Sequence, residues 1–318
     1  MTKNYNSYGT PNNYTTIIPN YTKDFSKQIS ELASLWSSVT KNRIIDYGTN
    51  GIRKTNWIPP KGYTFSLFKE KGINLEILQQ ENSHCENVIL MVHGGSFTYR
   101  MHDGFMNLMP QYSKAGHGIT VVSVDYRVVP EFTYKDMIDD VLTSYKWLLE
   151  KGYTPANIIM AGDSSGGHTV LSTLLYMRDK GYELPAGVIT LSASSNINAN
   201  TKSYHYNKNV DVFFRNNNLW LNTLNIIAKR YNRNNPYISP FYGDFKGFPP
   251  MLMQVGGSEM LLNDSSVIAE NAYKQGVDVR LEIYEKMFHD FQNMKGSLIE
   301  ADIAWENIGK FIEEIFQH

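Results

Sequence analysis

The 318-residue chain contains a single cysteine, Cys85, so no disulfide within the chain is possible. Neither charge sign is in excess: 30 Lys and Arg stand against 31 Asp and Glu, a formal net charge of −1. A nucleic-acid binder would carry a basic surplus or stripe, and a membrane-surface protein a polybasic patch; neither is present. Long apolar runs are missing as well. The longest are strand-length, such as 88–92, far short of a bilayer span. The first twenty residues lack the apolar core of a secretory signal. These absences lead to the expectation of a soluble, cytoplasmic protein acting on a small molecule, with no nucleic-acid or membrane partner.

A 42% hydrophobic content is enough for a sizeable core at this length. Residues 1–23 are rich in Asn, Tyr and Thr and show no period. From 23 to 39, Phe25, Ile29, Leu32, Leu35 and Trp36 keep the spacing of one apolar helix face. An irregular stretch follows to Pro60. Short apolar strands are then readable at 88–92, 119–124, 157–161, 187–191, 250–255 and 279–284. Helical patterns occupy 134–150, 165–180, 261–274 and 297–316. This alternation predicts an α/β protein with a mostly parallel central sheet flanked by helices. The Asn-rich segment 196–235 breaks the alternation, with one helix-like run at 219–230. The expected organisation is an N-terminal arm and cap segment over 1–60, a catalytic domain over 61–195 and 236–318, and a cap insertion over 196–235.

One motif carries the chemistry: Gly162-Asp163-Ser164-Ser165-Gly166-Gly167, which follows the strand-like run IIMA and opens a helical run. G-x-S-x-G in that setting is a nucleophile elbow, a sharp strand-to-helix turn that lifts a serine clear of the sheet. Gly162 and Gly166 are small because neighbouring chain packs closely there. A Gly/Ser turn that merely caps a helix has the same short pattern; the strand before it and the helix after it favour the catalytic reading. His93-Gly94-Gly95-Ser96, directly after VILMV, supplies glycine-rich backbone whose N–H groups suit a tetrahedral oxyanion. The expected donors are Gly94, Gly95 and Ser165. His289 lies between the last strand and the last helix, after both the serine and an acid, as a general base on such a scaffold should. Two carboxylates follow the strand at 250–255, Glu259 and Asp264. Glu259 is the expected partner of His289 because it is nearer the strand end, whereas Asp264 falls within the following helix.

With HGGS at 93–96, Asp125-Tyr126-Arg127, Pro130-Glu131, GDSSGG at 162–167, GGSEMLLNDS at 256–265 and FHDF at 288–291, the chain resembles the hormone-sensitive-lipase-like (bacterial family IV) esterases, relatives of arylacetamide deacetylases. The resemblance runs from about Asn87 to the C-terminus. It implies an α/β-hydrolase fold with a helical cap, carboxylic ester hydrolysis and a possible homodimer through the C-terminal strand and helix. Carried onto this chain, it gives Ser164 as nucleophile, His289 as base, and Gly94, Gly95 and Ser165 as oxyanion donors. The family's usual aspartate is Glu259 here, its third glycine is Ser96, and the usual alanine after the nucleophile is Ser165. Asp125, Asp163, His93 and His168 are expected to be scaffold. Trp36, Phe97, Tyr99, Phe213, Phe214 and Trp220 are candidate pocket walls for a short- to medium-chain acyl ester. No metal or cofactor is called for, since His84, Cys85 and His93 have no ligand spacing. Amide hydrolysis by the same machinery, and a non-catalytic small-molecule receptor on this fold, are the alternatives.

Overall fold

The computed structural model describes residues 13–31, 34, 51–215 and 218–317. Nine strands form one sheet: β1 (Thr15–Ile18), β2 (Tyr63–Glu70), β3 (Ile73–Gln80), β4 (Val88–Val92), β5 (Thr120–Asp125), β6 (Ile158–Asp163), β7 (Gly187–Leu191), β8 (Met251–Gly256) and β9 (Val279–Tyr284). Their order is β1-β9-β8-β7-β6-β4-β5-β3-β2. Only β3 runs antiparallel to its neighbours β2 and β5; every other pair is parallel. The central strands β4 to β8 are buried at every position, which is why they read as unbroken apolar runs.

Helices cover both faces: α1 (Leu108–Ala115), α2 (Tyr134–Glu150), α3 (Ser164–Asp179), α4 (Lys202–Tyr206), α5 (Asn218–Arg230), α6 (Leu262–Lys274) and α7 (Ile299–Phe316). Leu90, Val122, Met160 and Met253 pack on one face with α2, α3 and α6. Ile89, Val121, Ile189 and Leu252 pack on the other with α1 and α7. α2 starts where Thr133 and Asp136 form a reciprocal capping box.

The six anticipated strands and four anticipated helices are present to within two residues at either end. Three strands escaped the pattern. β2 and β3 form a hairpin whose turn, Lys71-Gly72, has positive φ at both residues (48° and 87°), the twist that suits a two-residue connection. Their Leu67 and Ile77 do alternate with polar residues, but no Asn-Gly or Asp-Gly marks the turn. β1 is four residues inside an aperiodic polar tail. It pairs in parallel with β9, from Thr15–Leu281 to Ile18–Tyr284, so the outer edge of β9 is already occupied. The helix expected over 23–39 is described at residues 26–31 and 34. Residues 23–25 precede it without helical structure, and 32, 33 and 35–39, Trp36 included, lie outside the described residues.

Glu300, on α7, pins the N-terminal arm. Its Oε1 accepts the Tyr21 and Thr22 N–H groups at 2.6 and 2.8 Å and its Oε2 accepts the Thr22 hydroxyl at 2.6 Å. Nearer the site, Arg53 is buried between Glu76 at 2.6 Å and Asp103 at 2.9 Å, fixing the chain that emerges from the arm to the loop after β4. Glu300→Ala strips the arm of these acceptors and is expected to cost about 2–3 kcal/mol. That lowers Tm by roughly 3–5 °C in a thermal melt, and limited proteolysis should clip the arm before the body.

Candidate active site

β6 sits at the centre of the sheet, between β4 and β7, and ends at Asp163. α3 begins at the next residue, and Ser164 makes the turn with φ 51°, the left-handed region where a non-glycine residue is strained. The glycines permit this. A Cβ on Gly162 would lie 2.6 Å from the Gly166 carbonyl carbon, and one on Gly166 would overlap the carbonyl oxygen of Val92. The helix start therefore rests directly on the end of β4, and its N-terminal dipole faces the serine.

Ser164, His289 and Glu259 come together from three separate loops at the carboxyl ends of the strands. His289 Nε2 is 2.9 Å from Ser164 Oγ, and its Nδ1 is 3.0 Å from Glu259 Oε2. With a carboxylate at Nδ1, the imidazole carries its proton there and offers the Nε2 lone pair to the serine hydroxyl. All three side chains are buried. Burial alone depresses the imidazole's pKa, but the charges of Asp290, Glu259 and Asp211 outweigh it and push His289 up to about 9.

Glu259 is held on every side. The Ser192 hydroxyl donates to its Oε1 at 2.7 Å, as does the Gly256 N–H at 2.6 Å. Asn207 Nδ2 donates to the Gly257 and Glu259 carbonyl oxygens. Asp211 accepts the Met260 N–H through Oδ2 and the Phe213 and Phe214 N–H groups through Oδ1. The insertion after β7 thus clamps the acid loop and lays Phe213 and Phe214 against the His289 ring, at 4.9 and 4.7 Å between centroids. Neither Asn207 nor Asp211 stood out in the sequence. They lie in an Asn-rich polar stretch, and only the burial of Asp211 and the contacts of Asn207 with the acid loop set them apart.

Asp264 has other work. Its Oδ2 accepts the Ser195 and Asn196 N–H groups and the Tyr204 hydroxyl. Asp125 binds Arg100 and the Met101 N–H. His168 lies between the Tyr134 hydroxyl and the Ser194 carbonyl. His93 stacks between Phe105 and Tyr126, and its carbonyl accepts the Tyr126 hydroxyl at 2.7 Å. Phe97 faces Tyr134 and His168 inside the core rather than a pocket. Among the described residues no cluster of three or more His, Cys, Asp or Glu side chains has the arrangement of a metal site.

Gly94 departs from expectation. Its N–H donates to Asp163 Oδ1 at 3.0 Å, so this amide is committed to the elbow and is not available to an oxyanion. Spacing alone could not reveal this, because the acceptor comes from a strand 69 residues away. Gly95 and Ser96 follow with φ 115° and 54°, and neither donates its N–H to another backbone group among the described residues.

A family model described as alpha/beta hydrolase fold matches residues 89–293. The chain belongs to that family, in its hormone-sensitive-lipase-like branch. An esterase of Acinetobacter venetianus is 30% identical over 240 residues, 76% of this chain and 78% of its own. An acetyl-hydrolase of Streptomyces hygroscopicus is 30% identical over 70% of this chain and 74% of its own. The crystal structure of an esterase from the bacterial hormone-sensitive lipase family superposes with TM-score 0.79 at 26% identity, covering 92% of this chain and 99% of that one. Among the described residues no helix is long and apolar enough to cross a membrane.

The elbow's dependence on glycine is testable. Gly166→Ala drives a methyl group into the Val92 and His93 carbonyls. Because those atoms are backbone in the centre of the sheet, the variant should lose soluble expression, or lose about 4 kcal/mol or more in a denaturant titration.

Proposed function

We propose that this carboxylesterase-type hydrolase cleaves short- to medium-chain acyl esters in two acyl-transfer steps, with Ser164 as nucleophile, His289 as base and Glu259 as the acid that orients it. The observation that carries the proposal is the unbroken line from Glu259 Oε2 to Nδ1 and from Nε2 to Ser164 Oγ, at 3.0 and 2.9 Å. Nε2 takes the hydroxyl proton as Oγ attacks the ester carbonyl, then returns it to the leaving alkoxide. Water repeats the sequence to release the acid.

For the oxyanion, the donors are the N–H groups of Gly95 and Ser165, as expected, together with Ser96 in place of Gly94. Ser165 N–H is at the first turn of α3, where no intrahelical acceptor exists. Residues 196–235 act as a cap: the clamp on Glu259 and the two phenylalanines on His289 are its contribution. Of the N-terminal arm, residues 15–18 belong to the sheet as β1 rather than to a cap. Phe213 and Phe214, lying over the imidazole, limit the room beside it and favour small acyl or alcohol groups. A homodimer built on the C-terminal edge would have to meet β1, which occupies the edge of β9.

Hydrolysis of p-nitrophenyl esters from acetyl to dodecanoyl tests the reading. Ser164→Ala should reduce kcat by about 10⁴-fold or more. Glu259→Gln should cost roughly 10²- to 10⁴-fold, and Asp264→Asn should act through stability and leave kcat within about tenfold. Undiminished activity in Ser164→Ala would remove the nucleophile assignment. Faster turnover of an acetanilide than of the matched phenyl ester would replace ester hydrolysis with amide hydrolysis. No turnover of any ester or amide would favour a receptor.

A further inference from the structure

One buried group at the site has no part in the mechanism above. Asp290 follows His289 directly, in the left-handed region at φ 55°. This conformation turns its side chain back toward the imidazole. Asp290 Oδ2 lies 3.2 Å from His289 Nε2, the nitrogen that also faces Ser164 Oγ at 2.9 Å. Its backbone N–H is fixed by the Ser192 hydroxyl, and its carbonyl accepts from Asn293. The carboxyl is 2% exposed, and Oδ1 has no hydrogen bond among the described residues.

We propose that Asp290 is a positioning residue on the serine side of the imidazole, whose carboxyl competes with Ser164 for Nε2 and confines the working base to alkaline pH. The inference rests on the assignment of His289 as the base.

The chemistry follows from counting protons. When the Asp290–His289 pair holds one proton beyond the one on Nδ1, that proton lies between Oδ2 and Nε2. It is either a carboxyl O–H donated to the ring or an imidazolium N–H donated to the carboxylate. In both forms the lone pair that must accept the Ser164 proton is occupied. Loss of this proton to solvent leaves Nε2 open, and the hydroxyl can then donate to it. The pair titrates as a unit.

The surroundings keep that proton bound. Glu259 faces Nδ1 from the loop after β8, and Asp211 approaches from the insertion. Asp163 approaches Asp290 from the end of β6, and the buried Tyr112 phenol on α1 feels both carboxyls. The leading charges felt by His289 are the carboxyls of Asp290, Glu259 and Asp211, and those felt by Asp290 are the His289 ring and the carboxyls of Asp163 and Glu259. Burial, then the neighbouring carboxyls, hold Asp290 well above the ordinary carboxylate range, and His289 stands near 9.

Asp290→Asn keeps the size, the backbone contacts and a residue type tolerant of the left-handed region; Asp290→Gly is the second variant, suited to the same φ. The kcat/KM of the wild type for p-nitrophenyl acetate should rise with pH to a midpoint near 9. In both variants the midpoint should fall by about one to two pH units, so that kcat/KM at pH 7 gains roughly tenfold or more relative to its own plateau. A ¹⁵N NMR titration of the His289 ring, assigned by difference from His289→Gln, should report the same displacement without substrate. A midpoint unchanged in folded Asp290→Asn and Asp290→Gly, by rate and by NMR, overturns the proposal. Displacement of the NMR midpoint in a protein that hydrolyses no ester upholds the proton competition and removes the esterase reading, so the two failures are told apart.

Discussion

The site depends on how closely the first turn of α3 approaches the end of β4. Gly166 rests on the carbonyls of Val92 and His93, and Gly162 on the backbone of Gly166. No side chain separates helix from sheet, so the chain must turn within one residue after β6, and Ser164 takes up that turn in the left-handed region. The strain is held by burial of the strands on both sides. The same contact sets the distance from the elbow to the loop after β4. Asp163 reaches across it to the Gly94 N–H, and a Cβ on Gly94 would collide with the Asp163 carboxyl and approach Ser164 Cβ to 3.1 Å. Gly94 is therefore a spacer and a clamp between two loops. On the proposed mechanism, the work of holding an oxyanion passes to the residues on either side of the gap.

A second constraint is electrostatic. Asp163, Asp211, Glu259 and Asp290 all act on one buried imidazole. A buried carboxylate is costly unless it is hydrogen-bonded or neutralised. Glu259 and Asp211 are hydrogen-bonded, by the donors from Ser192, Gly256, Phe213, Phe214 and Met260. Asp163 receives one amide and is pushed up to about 6 by burial. Among the described residues Asp290 Oδ1 has no hydrogen-bond partner, its Oδ2 faces the His289 ring at 3.2 Å, and burial holds the carboxyl well above the ordinary carboxylate range. The asymmetry across the ring matters. Carboxylate at Nδ1 fixes the useful tautomer, whereas carboxyl at Nε2 opposes it.

Much of this was legible in the sequence because it depends on local pattern. Apolar runs of strand length, 3.6-residue periodicity and glycines at fixed offsets from Ser164 follow from backbone sterics, so the central sheet, the helices and the elbow could be read directly. Glu259 was favoured over Asp264 by distance from a strand end, and the structure puts Glu259 on the imidazole. What escaped was set by partners remote in the chain. β1 is a strand because β9 has an open edge 266 positions away. The Gly94 amide is taken by an acceptor from another strand. Asn207 and Asp211 look like loop residues until the acid loop is packed against them.

Asp264 shows why position along the chain is a weak guide to role among buried acids. It lies five residues after Glu259 and is as fully buried. Its Oδ2 accepts two consecutive backbone N–H groups from the chain after β7 and the Tyr204 hydroxyl from α4. The insertion is therefore anchored at its root by Asp264, while Asn207 and Asp211 grip the acid loop from further along. Burial, opposed by the Ser195 and Asn196 amides and the Tyr204 hydroxyl, still pushes Asp264 up to about 8, with the Glu259 charge adding to the rise. The two acids differ by environment. Glu259 lies against His289 Nδ1, where the proposed mechanism needs an acid. Asp264 lies beneath the insertion whose later residues hold the Glu259 loop in place.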